Sequence, residues 1–227
     1  MKHCDGGGGR TDGLAGCPSV LDLDRLRAAP LNREPFDFIV VEEFVRRGAL
    51  GPLLADFPQI RNTGSFPVDT LAVGPGFARL VAALTGPELR LAIEDKFGID
   101  LAGRPTLVTV RGWSDAKDGG IHTDSATKII TLLLYMNPVW ESKEGRLRLL
   151  RGPGDLEDYA AEVMPLAGTM VAFRRSERSF HGHHLHKGAR RSLQLNWVTD
   201  AAVVRRELAR HRWSARLKTL NPFRLSA

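Results

Sequence analysis

Between Pro105 and Val198 the chain breaks into short β-rich runs, and this pattern constrains its fold more than any other feature. The runs are Thr106–Arg111, Lys128–Met136, Arg146–Leu150, Gly168–Phe173, Phe180–His186 and Arg191–Val198. Turn-rich stretches such as Ser114–Gly120 and Arg151–Asp155 separate them. Many short strands with irregular turns predict a sandwich or barrel, because each strand must bury one face against another layer. Ahead of this region, Phe38–Val41 reads as a short buried strand and Ala49–Phe57 as a helix interrupted at Gly51–Pro52. Gly76–Leu84 and Pro87–Phe97 read as two helices, the second opened by a proline that suits a first helical turn. The expected organisation is a tail over residues 1–18, where four consecutive glycines raise the cost of ordering, and one domain over 19–227. Within that domain we expect a helical part over about 45–100, a β core over about 104–199 and a last helix over about 200–218.

Two segments carry chemistry. In Asp118–Lys128, DGGIHTDSATK, His122 and Asp124 stand two apart, so on a strand both would project from one face and grip one ion together. A second histidine would complete a two-histidine, one-carboxylate set that leaves coordination positions open. In Ser179–Ser192, SFHGHHLHKGARRS, four of the seven histidines (181, 183, 184, 186) fall within six positions. His181 and His183 share a strand parity, so both are candidate ligands. On the final β-run Arg190, Ser192, Gln194 and Asn196 share one face, and Arg191, Leu193, Leu195 and Trp197 the other. A polar face with a buried arginine suits a barrel interior holding a dicarboxylate, although an edge strand in water would alternate in the same way.

Over Val108–Val198 the chain resembles the prolyl-4-hydroxylase-like branch of the Fe(II)/2-oxoglutarate oxygenases. The resemblance runs through His122-x-Asp124, Tyr135-Met136-Asn137 with Trp140, Gly145-Arg146-Leu147-Arg148, Pro165, Gly168, Phe173, His181 and Arg190, in that order. It implies a mainly β fold with flanking helices around a double-stranded β-helix, or jelly roll. It also implies Fe(II), 2-oxoglutarate as cosubstrate and ascorbate as a reductant. His122, Asp124 and His181 look like the iron ligands, and the family's Ser-x-His pattern favours His181 over His183. Arg190 and Tyr135 look like the clamp on the distal carboxylate of 2-oxoglutarate, with Ser192 and Leu147 beside them and Arg191 as the rival cation. Arg111, Arg191 and Asn196 are candidate contacts to substrate or cosubstrate. Where relatives often carry an aromatic residue before the His-x-Asp, this chain has Arg111 followed by Gly112-Trp113. The implied reaction is hydroxylation of an aliphatic C–H of a small metabolite, glycan precursor or peptidyl residue, with release of succinate and CO2. Cations near the site hint at an anionic substrate.

Composition leaves two rival classes. Net charge is +6, and residues 200–227 hold seven basic against two acidic residues, which supplies +5 of it. That concentration would serve a nucleic-acid binder, which predicts steeply salt-dependent affinity, yet no base-reading motif accompanies it. A non-redox cupin-like metalloprotein is the other rival, and it predicts no turnover of 2-oxoglutarate. Met1–Arg10 lacks the apolar stretch of a secretory signal, no run suits a membrane span, and Cys4 and Cys17 give no disulfide framework. The expectation is a cytoplasmic enzyme.

Overall fold

The computed structural model describes residues 19–209. The glycine-rich segment 1–18 and the outer part of the expected last helix lie outside them; residues 201–209 are helical. Of the seven basic residues at the C-terminal end, Arg205 and Arg206 fall within the described residues. No helix among the described residues is long and apolar enough to cross a membrane.

Among the described residues, nine strands form two antiparallel sheets. β1 (Phe38–Val41), β2 (Phe66–Pro67), β3 (Thr106–Ser114), β4 (Lys128–Tyr135), β7 (Met170–Arg174) and β9 (Gly188–Val198) make the larger, in the order β1-β7-β4-β9-β3-β2. β5 (Leu147–Leu150), β6 (Tyr159–Val163) and β8 (His181–Gly182) make the smaller, in the order β6-β5-β8. This is the double-stranded β-helix that the resemblance implied.

Strand alternation divides the residues of the larger sheet between two layers. Ile39 and Val41 of β1, Ile130, Leu132 and Leu134 of β4, and Leu193, Leu195 and Trp197 of β9 point one way. There they pack with Phe77, Leu80, Leu84, Leu89 and Ile93 from α3 (Pro75–Thr85) and α4 (Pro87–Phe97). The opposite face looks toward the smaller sheet. Over β1, β7 and the smaller sheet Phe38, Tyr135, Leu147, Leu149, Val163, Val171 and Phe173 form a second, smaller core, with the Phe173 ring 4.8 Å from the His181 ring. Toward β9 and β3 the inward residues turn polar, and the candidate site lies where the two meet.

Several boundaries differ from those read in the sequence. α2 (Arg47–Ala55) runs through Pro52 instead of breaking at it, because one missing N–H removes one helical bond while Leu53 stays anchored in the core. α4 has Pro87 at its first turn and ends on Gly98, whose left-handed φ of 62° closes the helix. α1 (Leu23–Ala28), β2 and β6 were not foreseen. β6 reads YAAEV, and its alanines and half-buried faces give little strand signal. The run Phe180–His186 pairs as a strand only over His181–Gly182.

Candidate metal centre

The two histidines of the cluster meet through their backbones. His122 donates its N–H to the His181 carbonyl at 3.0 Å, and His181 donates to the His122 carbonyl at 2.9 Å. This isolated bridge brings the imidazoles to a centroid separation of 4.4 Å. Asp124 does not sit on the expected strand; it lies in the loop before β4. Its carboxylate is held instead by side chains of β4: Lys128 Nζ donates to Oδ1 at 2.7 Å, and the Thr131 hydroxyl donates to Oδ2. The same hydroxyl lies 3.0 Å from Asn196 Oδ1 across the ladder. Neither Lys128 nor Thr131 was singled out in the sequence. The signal available for Thr131 was inward parity with Leu133 and Tyr135 on β4.

His122, Asp124 and His181 each offer one ligand atom within 4.8 Å of the others, and among the described residues no other His, Cys, Asp or Glu group does so. Hydrogen bonding favours one tautomer for both histidines. His122 Nδ1 lies 2.8 Å from the Gly120 carbonyl and His181 Nδ1 2.9 Å from the Ser179 carbonyl. A carbonyl only accepts, so Nδ1 carries the proton and Nε2 keeps the lone pair a metal needs. Burial pushes the His181 imidazole down to about 4, against the opposing pull of Asp124, so it is neutral at neutral pH. Burial raises the Asp124 carboxyl, but Lys128 and His181 outweigh it and hold the group below its ordinary value. Two imidazoles oriented by their Nδ1 contacts and an ionised carboxylate fit a divalent iron with open coordination positions. His183 is 7% exposed and is pushed down to about 4 by burial, but it stands outside the cluster, with Nδ1 on the His184 carbonyl.

A cavity of about 610 Å³ reaches from the cluster into the sheet interior. Leu147, Ser192 and Arg190 line it, as do Thr109 and Arg111 of β3. Arg190 is 6% exposed; its Nε donates to the Gly145 carbonyl at 2.9 Å and its Nη2 to the Tyr135 hydroxyl at 3.4 Å. Among the described residues no carboxylate pairs with it within 4.0 Å. Burial lowers the Arg190 guanidinium and raises the Tyr135 phenol, each partly offset by the other. Tyr135 lies fully buried behind the arginine and does not line the cavity. Arg191 faces the other way, its guanidinium 5.4 Å from the centroid of the Phe57 ring, and does not reach the cavity. Arg111 does line it, but is engaged by Asp118 at 2.7 Å and by Ser65. That ion pair ties down the loop after β3. His183 adds a second tie through its N–H to the Gly119 carbonyl. Asn196 lies further along β9, outside this cavity and beside a neighbouring one.

Residues 111–199 match the sequence model of the 2OG-Fe(II) oxygenase superfamily. No curated protein sequence matches the chain. Among solved structures, a prolyl-4-hydroxylase of Pseudomonas putida superposes with a TM-score of 0.54 at 19% identity, covering 79% of this chain and 93% of that one. A prolyl 4-hydroxylase of Phytophthora capsici gives 0.54 at 16%, covering 86% and 71%. HygX of Streptomyces hygroscopicus, solved with nickel and 2-oxoglutarate bound, gives 0.50 at 13%, covering 72% and 83%. At these identities the structural likeness is one of fold. Residues 111–199, which carry both histidines, the aspartate and Arg190, are the part of the chain that is similar to the 2OG-Fe(II) oxygenase superfamily.

Proposed function

We propose that this protein is an Fe(II)- and 2-oxoglutarate-dependent dioxygenase that hydroxylates an aliphatic C–H of its substrate and releases succinate and CO2. The observation that carries the reading is Arg190, a buried arginine without a carboxylate partner, in a cavity that ends on His122, Asp124 and His181. A buried cation without a counter-ion is costly, and an anionic ligand would offset that cost.

His122, Asp124 and His181 would hold the iron. When bound, iron and 2-oxoglutarate supply the oxidising chemistry, in which decarboxylation to succinate is coupled to C–H hydroxylation. The chain's own residues bind and orient. Arg190 is braced by the Gly145 carbonyl and the Tyr135 hydroxyl, so its guanidinium is positioned before any ligand arrives. It would pair with the distal carboxylate of 2-oxoglutarate, with Ser192 as a further hydroxyl and Leu147 as an apolar wall. Lys128 and Thr131 keep Asp124 ionised and aimed at the cluster. The substrate is a small metabolite, a glycan precursor or a peptidyl residue.

The test is titration of 2-oxoglutarate into protein loaded with Mn(II), which stands in for iron without turnover. Arg190→Ala should weaken binding by about a hundredfold or more, since one partner of a desolvated pair is lost. Arg191→Ala should leave binding nearly unchanged. Equal affinities for wild type and Arg190→Ala would remove 2-oxoglutarate from this cavity.

A further inference from the structure

A second cavity, of about 370 Å³, opens beside the metal cluster. It shares Ser65, Thr109, His122, Asp124, Lys128 and Gln194 with the first, but neither Arg190 nor Ser192 lines it. The end of β9, the loop between Asp124 and β4, and the helical residues 201–209 wall it instead. A molecule seated there would face the metal ligands from outside the arginine chamber.

The lining has an unusual composition for a small-molecule site. Thr109, Thr123, Ser125, Thr127, Gln194 and Asn196 supply uncharged hydrogen-bonding groups. Leu107, Val198 and Val203 are the apolar side chains, and the His122 imidazole is the one aromatic ring. Pockets for small organic ligands are usually lined mostly by hydrophobic and aromatic groups, with few polar ones. Here the ratio is inverted. A ligand that displaces water must return a hydrogen bond at nearly every wall, or leave polar groups unpaired. Gln194 Nε2 already donates to Asn196 Oδ1, and that oxygen also lies 3.0 Å from the Thr131 hydroxyl. The Gln194 carbonyl oxygen and the Asn196 amide nitrogen are left for a ligand, an acceptor beside a donor. Hydroxyl groups satisfy both, because each donates and accepts.

Charge and topology narrow the class further. Lys128 is the chamber's one cation among the described residues and is already paired with Asp124. This does not favour a strongly anionic ligand. An extended peptide commonly binds by adding a strand to a free sheet edge. β9 lies between β4 and β3 within the sheet, so it offers no such edge beside the chamber.

We propose that this second chamber is the primary-substrate site and that it takes a small polyhydroxylated molecule, a polyol or cyclitol, and not a peptidyl residue. The proposal rests on the oxygenase reading above. The full-length protein with Fe(II) and 2-oxoglutarate is given myo-inositol, D-sorbitol, D-glucose or a proline-containing peptide, each at about 10 mM, above the usual KM range. Succinate release and product mass are then read. At least one polyol should raise succinate formation by roughly tenfold and gain one oxygen atom. Thr127→Val, which removes one lining hydroxyl, should raise the KM for that polyol several-fold, and Thr127→Trp, which fills the chamber, should abolish the stimulation. The Kd for 2-oxoglutarate on Mn(II)-loaded protein should stay near wild type in both. Stimulation by the peptide alone, or none by any polyol while 2-oxoglutarate still binds, overturns the proposal. So does a polyol KM indifferent to both Thr127 variants. Failure of 2-oxoglutarate to bind at all would instead count against the oxygenase reading.

Discussion

Asp124 owes its place in the cluster to two neighbours rather than to its own backbone. Because Thr131 donates to one of its oxygens, Thr131→Val should weaken Fe(II) binding by roughly 10- to 100-fold, as is typical when a ligand's supporting hydrogen bond is lost. His183→Ala should leave Fe(II) in place; equilibrium dialysis distinguishes the two, and the opposite ranking would make His183 a ligand. His181 and His183, both pushed down to about 4, give the metal-free protein a pH signature. The unfolded chain binds a proton at each near pH 6.5, while the folded chain keeps both neutral until about 4. Their contribution is therefore whole above 6.5 and is lost as pH falls from 6.5 toward 4, by up to about 1.4 kcal/mol per pH unit for each. Urea midpoints compared at about pH 7.5 and about pH 5 should show the drop, and a smaller drop in His183→Gln. The His-x-Asp spacing and the distal histidine were legible in the sequence. The Lys128 and Thr131 contacts were not, because they depend on how the loop before β4 folds back on the strand.

At the scale of elements, β9 shows how far alternation can be trusted. Its parity correctly separated Arg190 and Ser192 from Arg191, whose guanidinium lies over Phe57. Arg191→Ala should cost stability of only about 0.5–1 kcal/mol through that ring contact. The same reasoning failed for the segment around His122, where one bridged position replaced a strand. A period-2 pattern assumes an extended ladder, and DGGIHTD has too few paired residues to sustain one. The loop before His122 has its own constraint. Gly119 has φ of 100°, and an added Cβ would lie 2.5 Å from both the carbonyl oxygen and a ring nitrogen of His183. Gly119→Ala should therefore destabilise the protein by about 1–3 kcal/mol and shift the His183 ring resonances. An unchanged melting temperature would show that the loop moves aside freely.

Across the whole molecule, the helix-backed core and the polar chamber occupy opposite faces of one sheet. Phe77 is fully buried between α3 and that sheet, so Phe77→Ala should cost about 3–5 kcal/mol by thermal or urea unfolding. Since Phe77 lines neither cavity, the folded fraction should still bind 2-oxoglutarate with near-native affinity. Loss of binding in step with loss of stability would mean that the two faces are not independent. The layer arrangement was legible from the short β-runs and two proline-opened helices. The division of the space between the sheets into apolar and polar parts was not, because it depends on cross-sheet neighbours far apart in sequence. That partition bears on how the molecule comes apart. His181 belongs to the smaller sheet, whereas Asp124 is fastened to the larger one through Thr131 of β4. An ion shared by both would act as a rivet through two plates, joining pieces that otherwise slide or peel separately. Metal loading should then slow amide hydrogen exchange in residues 118–128 and 179–186 together, merging two opening events into one.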